Sequence, residues 1–97
     1  MARYLLTLHK AYYNQGFFNI PVDFDRFVRS KEGALEIWLG DRSIQAKVNR
    51  TANKNGTARI MGGVPLRDWF QTEFSMLDPV LVEFSDPESI RLTAPST

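Results

Sequence analysis

Short runs of β-type residues, separated by turn residues, follow one another along almost the whole 97-residue chain. Each run alternates apolar and polar residues or is rich in branched and aromatic side chains, and each is therefore predicted to be a strand. The predicted strands are residues 3–10, 17–21, 34–39, 43–51, 57–61, 79–84 and 89–93. Strands this short bury enough apolar surface only when the sheet curls back on itself. We therefore predict a mainly β fold with two short helices, a seven-stranded open β-barrel.

Two segments between these strands predict the short helices, which we expect to close the ends of the barrel. Residues 22–30 (VDFDRFVRS) carry apolar side chains at the i, i+3, i+4 spacing of one helix face. Residues 65–74 (PLRDWFQTEF) repeat that spacing and begin with a proline, which suits the first turn of a helix. Residues 10–16 (KAYYNQG), in contrast, predict a loop that is closed by glycine.

The clearest local pattern is a hairpin over residues 34–51, followed by a tight turn at residues 53–56 (NKNG). One face of its first strand is predicted to carry Leu35, Ile37 and Leu39. On its second strand the core face carries Ile44, Ala46 and Val48, and the opposite row is Gln45, Lys47 and Asn49. Most aromatic residues lie on apolar faces and are assigned to the core: Phe17, Phe18, Phe24, Phe27, Trp38, Trp69, Phe70, Phe74 and Phe84.

The composition is that of one globular domain, since 43% of the residues are hydrophobic and 24% are charged. We expect a single domain over residues 1–97, ordered from about residue 3 to residue 93, with a frayed tail over residues 94–97. Cysteine is absent, which excludes disulfides and thiolate metal sites. No run is apolar enough to span a membrane, and no targeting segment is recognised. We expect a cytoplasmic bacterial protein, or a nuclear one if the source is eukaryotic.

Catalytic chemistry finds little support in the sequence. His9 is the only histidine, and neither a cysteine nor a serine elbow motif accompanies it. The carboxylate pairs within residues 23–25 and 86–88 are explained by helix-start and turn positions. Residues 62–63 (GG) lack the lysine and the glycine spacing of a phosphate-binding loop. We therefore expect a non-catalytic domain with no metal and no cofactor.

Cations are concentrated in the first part of the chain. Residues 1–59 contain ten Lys and Arg against five Asp and Glu, and residues 60–97 contain two against six, so net charges of +5 and −4 sum to +1. Residues 47–60 (KVNRTANKNGTARI) combine four cations with amides and hydroxyls and contain no carboxylate. Clustered charge favours a polyanionic partner, the alternative being a solvated surface with accidental asymmetry. Loops 10–16 and 51–57 carry Lys, Tyr, Asn, Gln and Thr, which contact DNA phosphates and base edges.

Over residues 3–93, the order of elements and several segments resemble the B3-type DNA-binding pseudobarrel. This family includes domains of plant transcription factors and recognition domains of bacterial restriction endonucleases. The segments that carry the resemblance are LTLHK, FFNIP, VDFDRFV, SIQAKVNRT, ANKNGTARI, PLRDWFQTEF and MLDPVLVEF, of which the last two are the most specific. A reduced first arm favours the endonuclease branch. Leu77 replaces a glycine of the family pattern, so the turn at residues 77–78 is expected to form without one.

The resemblance implies that two arms, residues 10–16 and 47–59, grip the major groove of a DNA duplex. The first arm supplies Lys10, Tyr12, Tyr13, Asn14 and Gln15. The fourth strand and the second arm supply Lys47, Asn49, Arg50, Asn53, Lys54, Asn55, Thr57 and Arg59. We expect the cations to neutralise phosphates, the amides to pair with adenine, and Arg50 or Arg59 to be able to read guanine instead. Alternation places Arg50 on the face opposite Lys47 unless the strand bulges, and at least one tyrosine of the first arm is expected in the core.

The leading interpretation is a sequence-specific double-stranded DNA-binding domain, the target-recognition part of a restriction endonuclease whose nuclease domain is fused or associated. The alternative from another class is a small β-barrel protein-interaction module whose basic arm binds an acidic partner. Preference for one duplex sequence over another distinguishes the two. A single-strand or RNA binder is disfavoured because it would expose aromatic side chains on a sheet face.

Overall fold

A computed structural model describes residues 2–95 and contains all seven predicted strands and both predicted helices. The strands are β1 (Arg3–Thr7), β2 (Phe17–Asn19), β3 (Gly33–Leu39), β4 (Arg42–Asn49), β5 (Arg59–Met61), β6 (Pro79–Asp86) and β7 (Ser89–Thr93). The helices are α1 (Lys10–Gln15), a 3₁₀ helix (Val22–Phe27) and α2 (Gly63–Glu73). The strands form where apolar residues recur at every second position, because successive side chains of a strand point to opposite faces.

All seven strands belong to one curled sheet with the order β1-β6-β7-β3-β4-β5-β2. Neighbouring strands are antiparallel except β3 and β7, which run parallel. β1 and β2 form the two edges, so the sheet is an open half-barrel. The predicted fold class is therefore confirmed.

The core fills the inside of the curl, and the predicted alternation decides which side chains reach it. Leu35, Ile37 and Leu39 are at most 3% exposed, and Ala46 and Val48 on β4 are also buried. Among the aromatic residues assigned to the core, Phe18, Phe70 and Phe84 are buried. A second group packs half-buried against the core: Phe24, Phe27, Trp69 and Phe74.

The assignment of Phe17 and Trp38 to the core was wrong. Both rings are half-buried on the outer face of the sheet, because each stands next to buried strand residues and the alternation turns it outward. The Trp38 indole N–H donates to Glu36 Oε1 at 2.8 Å on that outer face. Two aromatic rings are thus available to outer-surface cations.

The prediction of a loop over residues 10–16 was also wrong, because Lys10–Gln15 forms helix α1. Six residues are too few for a helix that is stable by itself, so packing must hold this one. Helix α2 supplies the contacts: Gln71 Nε2 donates to the Tyr13 carbonyl at 3.0 Å, and the Tyr13 hydroxyl donates to the Phe74 carbonyl at 3.1 Å. Gly16 ends α1 with a φ of 73°, and a Cβ there would collide with the Gly63 carbonyl.

The helix predicted after β2 is a 3₁₀ helix that packs over one part of the core. It follows Pro21, whose restricted φ suits the start of a helix. The Phe24 ring lies 5.0 Å from the Tyr4 ring of β1, and the Phe27 ring lies 5.6 Å from the Phe84 ring of β6, measured between centroids. These contacts tie the 3₁₀ helix to β1 and β6, while α2 packs against α1, β2 and β4.

The turn before β6 forms without glycine, as predicted. Leu77 has a φ of 73°, the only positive φ at a non-glycine residue in the described part of the chain. Its N–H donates to the Leu8 carbonyl at 2.8 Å, and the Leu8 N–H donates to the Asp78 carbonyl at 3.0 Å. These two bonds hold a conformation that costs a leucine roughly 1–2 kcal/mol.

The two ends of the chain complete the description. Ala94 and Pro95 follow β7 without regular structure. The predicted frayed tail also includes residues 96 and 97, which lie outside the described residues, as does residue 1. No helix within residues 2–95 has the length and apolar character needed to cross a membrane.

Candidate nucleic-acid interface

Three neighbouring strands, β4, β5 and β2, form a ribbon whose outer side collects polar residues from distant parts of the chain. In one row of the register, Lys47 stands opposite Met61, which stands opposite Phe17. In the next row, Asn49 stands opposite Arg59, which stands opposite Asn19. Directly opposed residues share one face of a sheet, and the intervening row is buried. We call these six residues the ribbon face: Phe17, Asn19, Lys47, Asn49, Arg59 and Met61.

The ribbon face is cationic because it carries Lys47 and Arg59, and its three strands contain no Asp or Glu. Lys47 is exposed, and Arg59 is half-buried. On the neighbouring strand β3, the acidic residue is Glu36, which stands opposite Gln45. Its carboxylate accepts a hydrogen bond from the Trp38 indole N–H. Charge on this face is therefore not cancelled by a carboxylate from the strands that build it.

Arg59 is held in a defined position by two neighbours on β2. Its Nε donates to Asn19 Oδ1 at 3.0 Å, and its guanidinium lies 4.5 Å from the centroid of the Phe17 ring. Within residues 2–95 no carboxylate forms a salt bridge with Arg59. The bond to Asn19 and the contact with the Phe17 ring position the guanidinium, and no bond within residues 2–95 uses its terminal nitrogens, which can donate to an external acceptor.

Helix α1 flanks the ribbon face on one side. The Tyr12 ring meets the Phe17 ring edge-on at 5.3 Å, and the His9 ring lies 5.7 Å from Tyr12. Gln15 joins Lys47 and Met61 in lining a shallow cavity of about 410 Å³ beside the start of α2. Lys10, Asn14 and Gln15 are exposed. In contrast, Tyr13 turns toward α2, which agrees with the expectation that one tyrosine of this segment packs inward.

A loop of residues 50–57, which forms most of the connection between β4 and β5, flanks the ribbon face on another side and is organised by asparagine side chains. We call it the 50–57 loop. Asn49 Oδ1 accepts from the Thr51 N–H at 2.8 Å and the Ala52 N–H at 2.9 Å. Asn53 Nδ2 donates to Asn19 Oδ1 at 3.1 Å and to the Thr57 carbonyl at 3.1 Å.

The tip of the 50–57 loop is the tight turn that its Asn-Gly pair predicts. The Gly56 N–H donates to the Asn53 carbonyl at 3.0 Å, and Gly56 has a φ of 77°. Lys54 and Asn55 are exposed at this turn, whereas the Thr57 side chain is buried. The loop therefore presents Lys54 and Asn55 and uses Thr57 as an internal support.

Arg50 has an internal role, and its pairing with Asp25 was not predicted from the sequence. Its guanidinium donates to both oxygens of Asp25, at 2.9 and 3.0 Å, and to the carbonyls of Arg29 at 2.7 Å and Gly56 at 3.1 Å. The side chains of Arg50 and Asp25 are only 16% and 26% exposed. Asp25 Oδ1 also accepts the Ala58 N–H at 2.8 Å. Arg50 thus ties the 50–57 loop to the 3₁₀ helix, and its donors are committed inside the protein.

The candidate residues consequently separate into two groups. The outer group lies on or beside the ribbon face: Lys10, Tyr12, Asn14, Gln15, Lys47, Asn49, Asn53, Lys54, Asn55 and Arg59. The inner group, Tyr13, Arg50 and Thr57, supports the surrounding structure.

Sequence reasoning missed Phe17, Asn19 and Met61 as members of the ribbon face. The sequence contained part of the signal, since alternation in FFNIP and TARIM turns these residues to the face of their strands that does not carry Phe18 and Ile60. Those two residues are buried. Which strands would lie beside β5 was not encoded locally. Comparison with known protein families and with curated proteins finds no match for this chain.

Proposed function

We propose that this protein is a non-catalytic domain that binds double-stranded DNA with sequence preference, using the ribbon face, helix α1 and the 50–57 loop. The observation that carries the proposal is the register that puts Lys47 and Arg59 beside amide side chains on one carboxylate-free face. Cations at such a face neutralise phosphates and release condensed counterions, which supplies affinity. Amide side chains that reach base edges supply sequence preference.

The shape of the 50–57 loop supports an approach through the major groove. The loop joins the ends of β4 and β5 and reverses in a tight turn at Gly56. A pair of antiparallel strands is narrow enough to enter a groove about 12 Å wide. Lys54 and Asn55 stand at the leading end of that turn. Lys47 and Arg59 lie behind it, where phosphates of the groove walls would meet them.

The resemblance to B3-type domains supports the further proposal that this domain directs a nuclease to its target. In that arrangement the chemistry belongs to a fused or associated domain, and this chain provides recognition. The ribbon face contributes no nucleophile with an adjacent base, and residues 2–95 contain no cluster of metal-ligating side chains.

The test is a chemical-shift titration of the isotope-labelled protein with a pool of random DNA duplexes at moderate salt, with matched single strands as the control. We expect duplex-specific shifts in α1, in β2 and over residues 45–61, while amides of β6 and β7 serve as the internal reference. Selection of a preferred sequence from the same pool would follow. Shifts that single strands reproduce equally, or shifts confined to β6 and β7, would contradict the proposal and favour the protein-interaction alternative.

A further inference from the structure

The tip of the 50–57 loop places an asparagine directly before a glycine in an exposed turn. Asn55 and Gly56 are both exposed, and the space where a Cβ of residue 56 would stand is empty to at least 4 Å. A side chain at that position would hinder the approach of the Gly56 backbone nitrogen to the Asn55 side chain. Glycine has no side chain to do so.

Two donors from Thr57 converge on the side-chain carbonyl oxygen of Asn55. The Thr57 N–H lies 3.1 Å from Asn55 Oδ1, and the Thr57 hydroxyl lies 2.8 Å from the same atom. Because the Thr57 side chain is buried, its hydroxyl is held in place. Attack on Asn55 Cγ would move negative charge onto Oδ1, and donors already positioned at that atom lower the barrier of such a step.

We propose that Asn55 is a site of spontaneous deamidation, in which the chain supplies both the nucleophile and an oxyanion-stabilising pair of donors. The Gly56 nitrogen gives up its proton to a base in solution and attacks Asn55 Cγ, and the new N–Cγ bond closes a five-membered succinimide. The Cγ–Nδ2 bond breaks, and the nitrogen leaves as ammonia after taking up a proton. Water then opens the ring to aspartate or isoaspartate. The net change consumes one water, releases one ammonia and needs no oxidant or reductant.

The chain contains a matched internal control at Asn49. Its Oδ1 accepts from the Thr51 N–H at 2.8 Å and the Thr51 hydroxyl at 3.1 Å, the same types of donor that Thr57 gives Asn55, and also from the Ala52 N–H at 2.9 Å. The residue that follows Asn49 is Arg50, however, and its N–H is bound to Glu32 Oε2 at 2.7 Å. Asn49 therefore has no fewer donors than Asn55, and what it lacks is a following glycine whose nitrogen can attack. The Gly56 N–H is bound only to the Asn53 carbonyl at the turn, a single exposed bond that opening of the turn releases.

Deamidation would add a carboxylate to the 50–57 loop, whose own residues include no Asp or Glu, and its effect on binding rests on the proposed function. The new charge stands beside Lys54 at the leading end of the loop. An aspartate keeps an oxygen that accepts from Thr57, so the loop can retain its shape, whereas isoaspartate lengthens the main chain by one atom. Either product opposes the approach of DNA phosphates.

The first experiment measures the chemistry without DNA. The folded protein is incubated in mildly alkaline buffer, and peptide mass spectrometry follows each asparagine. We expect Asn55 to convert well before Asn49 and Asn53. Thr57→Val, which removes one donor, should slow conversion about fivefold, the rate equivalent of one hydrogen bond, whereas Thr57→Ser should match the parent. Conversion of Asn55 no faster than Asn49, or undiminished conversion in Thr57→Val, would overturn the proposal; if Thr57→Val does not fold, the Asn49 comparison decides it.

The second experiment measures the consequence for binding. Asn55→Asp reproduces the charge of the product, and Asn55→Gln is the neutral control at the same position. We expect Asn55→Asp to bind duplex DNA more weakly than Asn55→Gln, with a salt slope smaller by about one unit. Equal binding of the two variants would refute the effect on binding. Absence of duplex binding by the parent protein would refute the proposed function and leave the mass-spectrometric result on deamidation standing.

Discussion

The hydroxyl of Tyr4 is buried, and no hydrogen-bond partner for it is found within residues 2–95. Its ring packs against Phe24 and Phe84, at centroid distances of 5.0 and 6.0 Å. Burial, with a smaller contribution from Tyr12, raises the pKa of Tyr4 far above its ordinary value. The ring contributes to the core, while the hydroxyl costs stability because it loses its hydrogen bond to water without replacement.

We expect Tyr4→Phe to raise the free energy of unfolding by about 1 kcal/mol at pH 8. In the parent, the folded-state pKa of Tyr4 lies above the unfolded-state value, so the unfolded chain loses this proton first. Ionisation of Tyr4 therefore leaves the free energy of unfolding of the parent unchanged below pH about 10. Above that pH it lowers this free energy by about 1.4 kcal/mol per pH unit. Urea unfolding of both proteins at pH 8 and pH 11 should show the advantage of Tyr4→Phe growing with pH. A less stable Tyr4→Phe at pH 8 would mean that the hydroxyl has a partner.

Arg50 and Arg59 are two arginines of the same segment with different surroundings. Arg50→Met should leave Asp25 half-buried without its cation and lower the free energy of unfolding by about 2 kcal/mol. Arg59→Met removes a half-buried stacking contact and the bond to Asn19 but leaves no carboxylate unpaired, and it should cost about 1 kcal/mol. Denaturant unfolding checks both values. A larger loss for Arg59→Met than for Arg50→Met would contradict these roles.

At the scale of elements, helix α1 depends on how closely it approaches α2. At this crossing the Gly16 carbonyl accepts from the Gly62 N–H and the Gly63 N–H, each at 3.0 Å. A short helix of this kind is stabilised by its neighbour and not by its own propensity. The surroundings of the ribbon face therefore also depend on the packing of α1 against α2, because α1 carries Tyr12 and Gln15.

Gly16→Ala tests the close approach, and Gly40→Ala is its control. Both glycines have a positive φ, 73° and 69°, so alanine is strained at each by about 1 kcal/mol. Only at Gly16 does the added Cβ meet the Gly63 carbonyl, since nothing lies within 4 Å of it at Gly40. We expect Gly16→Ala to cost about 1–3 kcal/mol more than Gly40→Ala in thermal or urea unfolding. Equal costs would show that α2 yields without penalty.

At the scale of the whole molecule, a net charge of +1 conceals the placement of the cations. The curl of the sheet brings β2 and β5 together, so that residues from positions 17–19 and 59–61 share one surface with β4. Long-range electrostatic attraction depends on this clustering of cations and not on the net charge of the protein. The proposed binding should therefore weaken steeply as salt rises.

We expect Lys47→Ala to reduce the salt slope of duplex binding by about one unit, because one phosphate contact is lost. Arg42→Ala removes the same charge from the other end of β4, ~17 Å away along the strand, and should leave the slope unchanged. Fluorescence anisotropy over a series of salt concentrations measures both. Identical losses in the two variants would indicate general charge attraction without use of the ribbon face.

The sequence by itself determined the number and position of the strands, the hairpin of β3 and β4 and the turn at Gly56. These features depend on neighbours a few residues apart, since alternation assigns faces and Asn-Gly pairs permit positive φ. Only the tertiary structure decided that Lys10–Gln15 is helical, that Arg50 pairs with Asp25 and that Asn19 stands beside Arg59. The physical reason is common to all three: each depends on which distant segments pack or pair, and residue spacing along the chain does not encode that choice.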